Sequence, residues 1–297
     1  MTKSTLLQNP IALLLMTGIL IGFNFPLGKI AGDAGISPVL WAFILSLGAA
    51  GFLLPALLIT RKLTLPHGKM IGYIVISGLI SFVIPNLLLF STIPHAGAGY
   101  TGLMFALSPV FTLGLSLLFK PKSPSRLGTI GIFIGLIGAA IVSITRGSGV
   151  EAPPLIWLIA ALLIPMSLAC GNIYRTIAWP KDASPDILAF YSHAFAASTF
   201  ALILLFTTGN IDLAALSPVP LAALLQMLVA GLTFPIFFRL QKIGGPVLLS
   251  QIGYVAAAVG LLIATLFLGE SYSLSTWFGA GIIGSGILVT IWAQRTQ

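Results

Sequence analysis

The chain has 297 residues, of which 58% are hydrophobic and only 7% charged, with a mean hydropathy of +1.09. That leaves too little polar surface for a soluble protein of this length and predicts an integral membrane protein. A formal charge of +8 would raise nucleic-acid binding in a soluble chain. Here no polar domain exists to present the charge, so membrane lipid is the expected partner and nucleic acid is not.

About 20 apolar residues cross one hydrocarbon core as a helix. On that scale the chain divides into ten spans, at residues 10–31, 38–59, 69–91, 98–119, 126–145, 154–179, 186–207, 219–240, 245–268 and 275–293. The first could be read as a signal peptide, but a single Lys precedes it, no convincing small-x-small cleavage site follows, and Asn24 lies inside it, so it counts as a span. Ten spans put both tails on one face, together with the even-numbered loops. That face carries twelve of the fourteen cations, leaving Lys29 and Arg146 opposite. The positive-inside rule then makes both termini cytoplasmic. Trp41, Trp157, Trp179, Trp277 and Trp292 all fall close to span ends, as an aromatic belt requires. The single cysteine, Cys170, excludes an intramolecular disulfide.

The spans repeat after the fifth. Ile30-Ala31, Ser37-Pro38 and Ala42-Phe43 recur as Ile177-Ala178, Ser184-Pro185 and Ala189-Phe190, at one offset of 147 residues. Pro85 and Ile93 of the third span recur as Pro235 and Ile243 of the eighth, and Gly128 and Gly135 of the fifth match Gly279 and Gly286 of the tenth. The expected halves are 1–147 and 148–297. A unit with an odd number of spans re-enters from the opposite face, so the two copies are expected to be inverted, an architecture used by transporters.

Ser108-Pro109-Val110 in the fourth span precedes a basic loop and a Gly128-rich fifth span. Leu268-Gly269-Glu270 closes the ninth ahead of Gly279. On the order and spacing of these pieces the whole chain resembles the ten-helix drug/metabolite transporter superfamily and, within it, the EamA-type exporters. The resemblance implies an all-α membrane protein of two inverted five-helix repeats in a bacterial-type inner membrane. It also implies export of a small metabolite, an amino acid or related compound, with spans 5 and 10 outside the cavity.

A solute path between inverted halves needs a polar cavity at mid-membrane where helices are broken. Each proline removes one intrahelical hydrogen bond, so Pro85, Pro235, Pro26, Pro165 and Pro109 free the carbonyls of Ser81, Gly231, Gly22, Ala161 and Phe105. The matched pair Pro85 and Pro235 are the candidate hinges, and Glu270, ending the ninth span on the outer side, is a candidate gate. Polar side chains inside spans should face protein or water. Asn24 and Asn86 fall in the outer half of the membrane; Asn172, His193, Arg239, Gln251 and Tyr254 fall in the inner half. These seven are the candidate cavity residues, with helix-to-helix hydrogen bonding as the alternative for the amides. Lys29, Arg175 and Arg239, near span ends, either snorkel to headgroups or line a vestibule. His193 is the candidate for proton coupling, or else a structural histidine. The stripes Ser77, Ser81, Pro85 and Gly231, Pro235, Arg239 either line a path or permit close packing.

No nucleophile elbow, zinc-protease signature, phosphate-cradling loop or paired intramembrane carboxylates occur, so no enzyme activity and no cofactor are expected. His67, His95 and His193 sit in different elements, so no metal site is expected. The expectation is a secondary transporter that exports or exchanges a small-molecule solute by alternating access. An intramembrane enzyme, or a channel or scaffold, is the competing reading. The cations without buried acids favour a solute bearing a carboxylate or phosphate over a cationic drug. Substrate, direction, coupling ion and oligomeric state leave no sequence signal.

Overall fold

The computed structural model describes residues 8–119, 125–144, 154–269 and 271–295, and the described residues form an all-α membrane protein. Its spans are α1 (Pro10–Asp33), α2 (Pro38–Ile59), α3 (Lys69–Ala96), α4 (Ala98–Phe119), α5 (Arg126–Ile144), α6 (Leu155–Ile177), α7 (Pro185–Thr208), α8 (220–244), α9 (246–267) and α10 (Leu274–Arg295). The second and fourth coincide with the ranges expected from hydropathy. The third runs five residues further, and the expected loop between the eighth and ninth shrinks to a single residue.

The repeated Ser-Pro pair has one structural job in both places. Ser37 accepts the amide of Leu40 (3.1 Å) and Ser184 that of Ile187 (3.3 Å), while Pro38 and Pro185 occupy the first helical positions of α2 and α7. A serine cap satisfies a free N–H, and proline fits where no intrahelical N–H bond is made. The junctions α3–α4 and α8–α9 are likewise alike. Each turns on one glycine in a conformation closed to other residues, Gly97 (φ 83, ψ 156) and Gly245 (φ 71, ψ −176).

Packing follows the same correspondence. α2 lies against α7, α4 against α9 and α5 against α10. α1 packs on α8 and α9 as α6 packs on α3 and α4, and α2 meets α8 as α7 meets α3. The α5–α10 seam is glycine on glycine. A Cβ added at Gly138 would lie 2.6 Å from the Gly279 carbonyl oxygen, and one at Gly286 would lie 2.6 Å from the Gly131 carbonyl oxygen. Backbones this close give dispersion contacts that lipid cannot replace.

Three of the five prolines coincide with helix irregularities. α1 breaks at Phe23, beside the Gly22 carbonyl that Pro26 cannot engage, and α4 breaks at Ala106–Leu107, directly after Phe105 and ahead of Pro109. α3 winds into a π turn over Leu79–Val83, where the Ile84 amide bonds the Leu79 carbonyl. In that register Pro85 frees the Ile80 carbonyl rather than that of Ser81, and Ser167 of α6 donates to it at 2.7 Å. Pro165 and Pro235 lie within continuous helix. The irregularity matched to Pro85 is therefore absent at Pro235, and the second half breaks instead at Gly245 and Gln251.

Gly97→Ala tests the junction. Nothing lies within 4 Å of the added Cβ, so the cost is conformational alone. A loss of about 1–3 kcal/mol is expected, read as lowered thermal stability of the purified protein in detergent.

Candidate functional site

A small central cavity of about 50 Å³ lies where the irregular segments meet. It is lined from the first half by Asn24 and Phe25 of α1, Leu45 of α2, Ser81, Phe82 and Asn86 of α3, and Phe105 and Ser108 of α4. The second half contributes Leu168 and Asn172 of α6, Phe234 and Phe237 of α8, and Ser250 and Ile252 at the α9 break. The wall is largely apolar, with a few amides and hydroxyls at separate points, the composition of a small-molecule site.

Of the expected cavity residues, Asn24, Asn86 and Asn172 are on this wall. Asn24 bonds the Ile21 carbonyl (3.0 Å) and accepts from Gln226 of α8 at 2.6 Å. Asn86 Nδ2 is buried without a partner. Asn172 donates to Thr112 of α4 (3.3 Å) and accepts from Arg175 (2.7 Å). The other four stand elsewhere. His193 is fully buried behind the wall, its ring centroid 3.7 Å from Phe234 and 4.2 Å from Phe82, with neither nitrogen hydrogen-bonded. Gln251 is buried at the α9 break, its amide unpartnered, between the lining residues Ser250 and Ile252. Tyr254 donates to the Ile132 carbonyl of α5 at 3.0 Å and so joins α9 to the glycine seam. Arg239, 34% exposed, pairs with Asp186 of α7 at 3.1 Å. Of the hinge and gate residues, Pro85 is buried after the π turn, Pro235 lies mid-helix, and Glu270 falls outside the described residues.

The three span-end cations part ways. Lys29 pairs with Asp33 (3.0 Å) and Arg239 with Asp186. Arg175 neither snorkels nor forms an ion pair among the described residues: it is 0% exposed, donating from Nε and Nη2 to Gln241 Oε1 (both 3.3 Å) and from Nη2 to Asn172 Oδ1. Its guanidinium carbon also lies 5.0 Å from the Phe237 ring centre and 5.6 Å from that of Phe82. Sequence reasoning omitted Gln226 and Gln241, which bind to Asn24 and Arg175. Each is a polar interruption in an apolar run, but the run does not say which helix it faces.

A second, wetter space of about 850 Å³ opens between the α2–α3 and α6–α7 connections, lined by Thr64, His67, Lys69, Tyr73, Trp179 and Lys181 among others. Rings fill the layer between the two spaces. Phe82 stacks on Phe238 (6.0 Å), Phe238 meets Trp179 (6.2 Å), Trp179 meets Tyr73 (6.1 Å) and Tyr73 stacks on Tyr174 (6.1 Å). Arg175 sits in this layer.

Fold and site together define a polytopic α-helical membrane protein whose spans enclose a small central cavity. The family model of the EamA-like transporter family matches residues 8–144. A WAT1-related protein of Arabidopsis thaliana is 26% identical over 84% of this chain and 75% of its own length. The protein named uncharacterized inner membrane transporter YedA, of Escherichia coli K12, is 27% identical over 82% of this chain and 78% of its own. A solved crystal structure shares the fold, with a TM-score of 0.70 at 17% identity over 96% of this chain and 98% of that one. In sequence the chain is thus similar to EamA-type members of the drug/metabolite transporter superfamily.

The Asn24–Gln226 bond joins the two halves across the cavity wall. A double-mutant cycle with Asn24→Ala and Gln226→Ala is expected to give a coupling energy of about 0.5–1.5 kcal/mol, measured from the thermal stabilities of the four proteins.

Proposed function

We propose that the chain is a secondary transporter exporting or exchanging a small metabolite, an amino acid or related compound, by alternating access. In this reading residues 1–147 and 148–297 are two inverted five-span units, and both termini are cytoplasmic. One observation carries it: a cavity whose wall is drawn from both halves, at the depth where α1, α3, α4 and α9 depart from regular helix. Two matched glycine junctions, the exchange symmetry of the packing, and a family match confined to residues 8–144 support the repeat. The space of about 50 Å³ is well below that of a metabolite site, so it represents a closed form that would widen as the halves rock.

The layer of rings between cavity and groove is the closed inner barrier, and rocking of the halves about the α1, α3, α4 and α9 irregularities would part it. The groove lies beside the basic α2–α3 and α6–α7 connections, so it is the cytoplasmic entrance if the positive-inside rule holds.

Counterflow with purified protein in liposomes, screened over amino acids, nucleosides, organic acids and amphiphilic cations, tests the reading. A solute-saturable exchange is expected, and Ser108→Phe, which fills the cavity, should reduce it at least about tenfold, equivalent to 1.4 kcal/mol. Unsaturable flux would mark a channel, and no flux for any solute would remove the carrier reading.

A further inference from the structure

We propose that Arg175, with Ser81 and Asn172, forms an anion-binding subsite at the inner end of the central cavity, and that the transported solute is a small carboxylate with an apolar body. The inference rests on the carrier reading and names the chemistry of its substrate.

The charge on Arg175 is unbalanced among the described residues. A guanidinium stays protonated under all physiological conditions. Transferring it to a site with no water costs several kcal/mol unless charge and hydrogen bonds compensate. Arg175 has no exposed surface, and the four described carboxylates do not supply the charge: Asp33 and Asp186 pair with Lys29 and Arg239, while Asp182 and Asp212 make no ion pair with Arg175. Neutral amide oxygens occupy Nε and Nη2, and Nη1 has no hydrogen-bond partner. One edge of the fork is therefore unused.

That edge lies beside Ser81, a residue of the cavity wall. A Cβ at Gly171 would collide with the Ser81 hydroxyl and come within 3.1 Å of Arg175 Nη1, so both atoms flank the space that this glycine leaves free. Ser81 and Asn172 are on the cavity wall, and the Ser81 hydroxyl is itself buried without a partner. Asn86 Nδ2, also unpartnered, lies on the same wall one π-type turn further along α3. Two unsatisfied donors thus stand on the cavity wall, and a third, charged one lies behind Ser81 at the Gly171 gap. A carboxylate meets that need, because it accepts several bonds at once and matches the guanidinium fork. The rest of the wall, with Phe25, Phe105, Phe234 and Phe237, offers an apolar body its complement and offers a second charge none.

Matched probes separate charge from shape. Purified protein in a non-ionic detergent is titrated with butyrate, hexanoate and phenylacetate, and with butyramide, hexanamide and phenylacetamide, while the thermal midpoint is followed; a ligand that binds the folded form raises it. At least one acid should bind about tenfold more tightly than its own amide, the margin expected of one charge-assisted hydrogen bond. Arg175→Gln should bring that ratio close to one. Arg175→Lys, which keeps the charge, should retain a smaller preference and covers the case in which the glutamine variant fails to fold. A ratio near one for every pair in the unaltered protein overturns the proposal, as does a ratio unchanged in Arg175→Gln. Saturable counterflow of a cationic or neutral solute that Arg175→Gln leaves untouched removes the subsite and keeps the carrier. Selective acid binding without counterflow keeps the subsite and removes the carrier.

Discussion

The constraint on which everything else depends is that lipid offers no water to satisfy a polar group and no hydrophobic penalty to drive apolar surfaces together. Ten spans can then be held only by backbones that approach closely and by a few buried polar bridges. The described residues use both. α5 and α10 meet through glycines at backbone contact distance, and α1 is bridged to α8 by Asn24 and Gln226, α3 to α6 by Ser167, and α6 to α8 by Arg175 and Gln241. The glycine seam lies apart from the cavity, and the polar bridges border it. Rigidity and solute contact are thus divided between two regions of the same fold.

That division gives the irregular segments their meaning. A π turn in α3 and breaks in α1, α4 and α9 depart from regular helix at cavity depth. Such features persist in a membrane only where protein covers them or a cavity receives them. The Ile80 carbonyl shows the first solution, since Ser167 takes the place of the amide that Pro85 lacks. The unpartnered amide of Asn86 on the cavity wall shows the second.

Much of the fold was legible because span length and the charge of the loops are set by the bilayer itself. The ranges of α2 and α4 follow from hydropathy alone, whereas the repeated Ser-Pro pair, legible in sequence only as a repeat, proves to start and cap two helices. Proline chemistry pointed to three real irregularities, yet it named the wrong carbonyl in α3, because a π turn shifts the bonding register by one residue and leaves no sequence signature. The site was less legible. Depth along a helix follows from residue number, but the face a side chain presents depends on tertiary rotation. Asn24 and Asn172 therefore reached the cavity, whereas Tyr254, at a similar depth, turned toward α5. Arg175 resembled a snorkelling residue by position alone. Only the packing of Gly171, Phe82 and Phe237 around it makes it an interior charge.

The account's central claim is that one cavity is reached from each membrane face in turn. Single cysteines at positions 86 and 172, in a Cys170→Ala background, can be labelled with an impermeant maleimide in right-side-out and inverted vesicles, with and without a solute found to exchange. Alternating access predicts that addition of the solute raises labelling from one face while lowering it from the other. Labelling of both positions from both faces at once, indifferent to solute, would describe a continuous pore and contradict it.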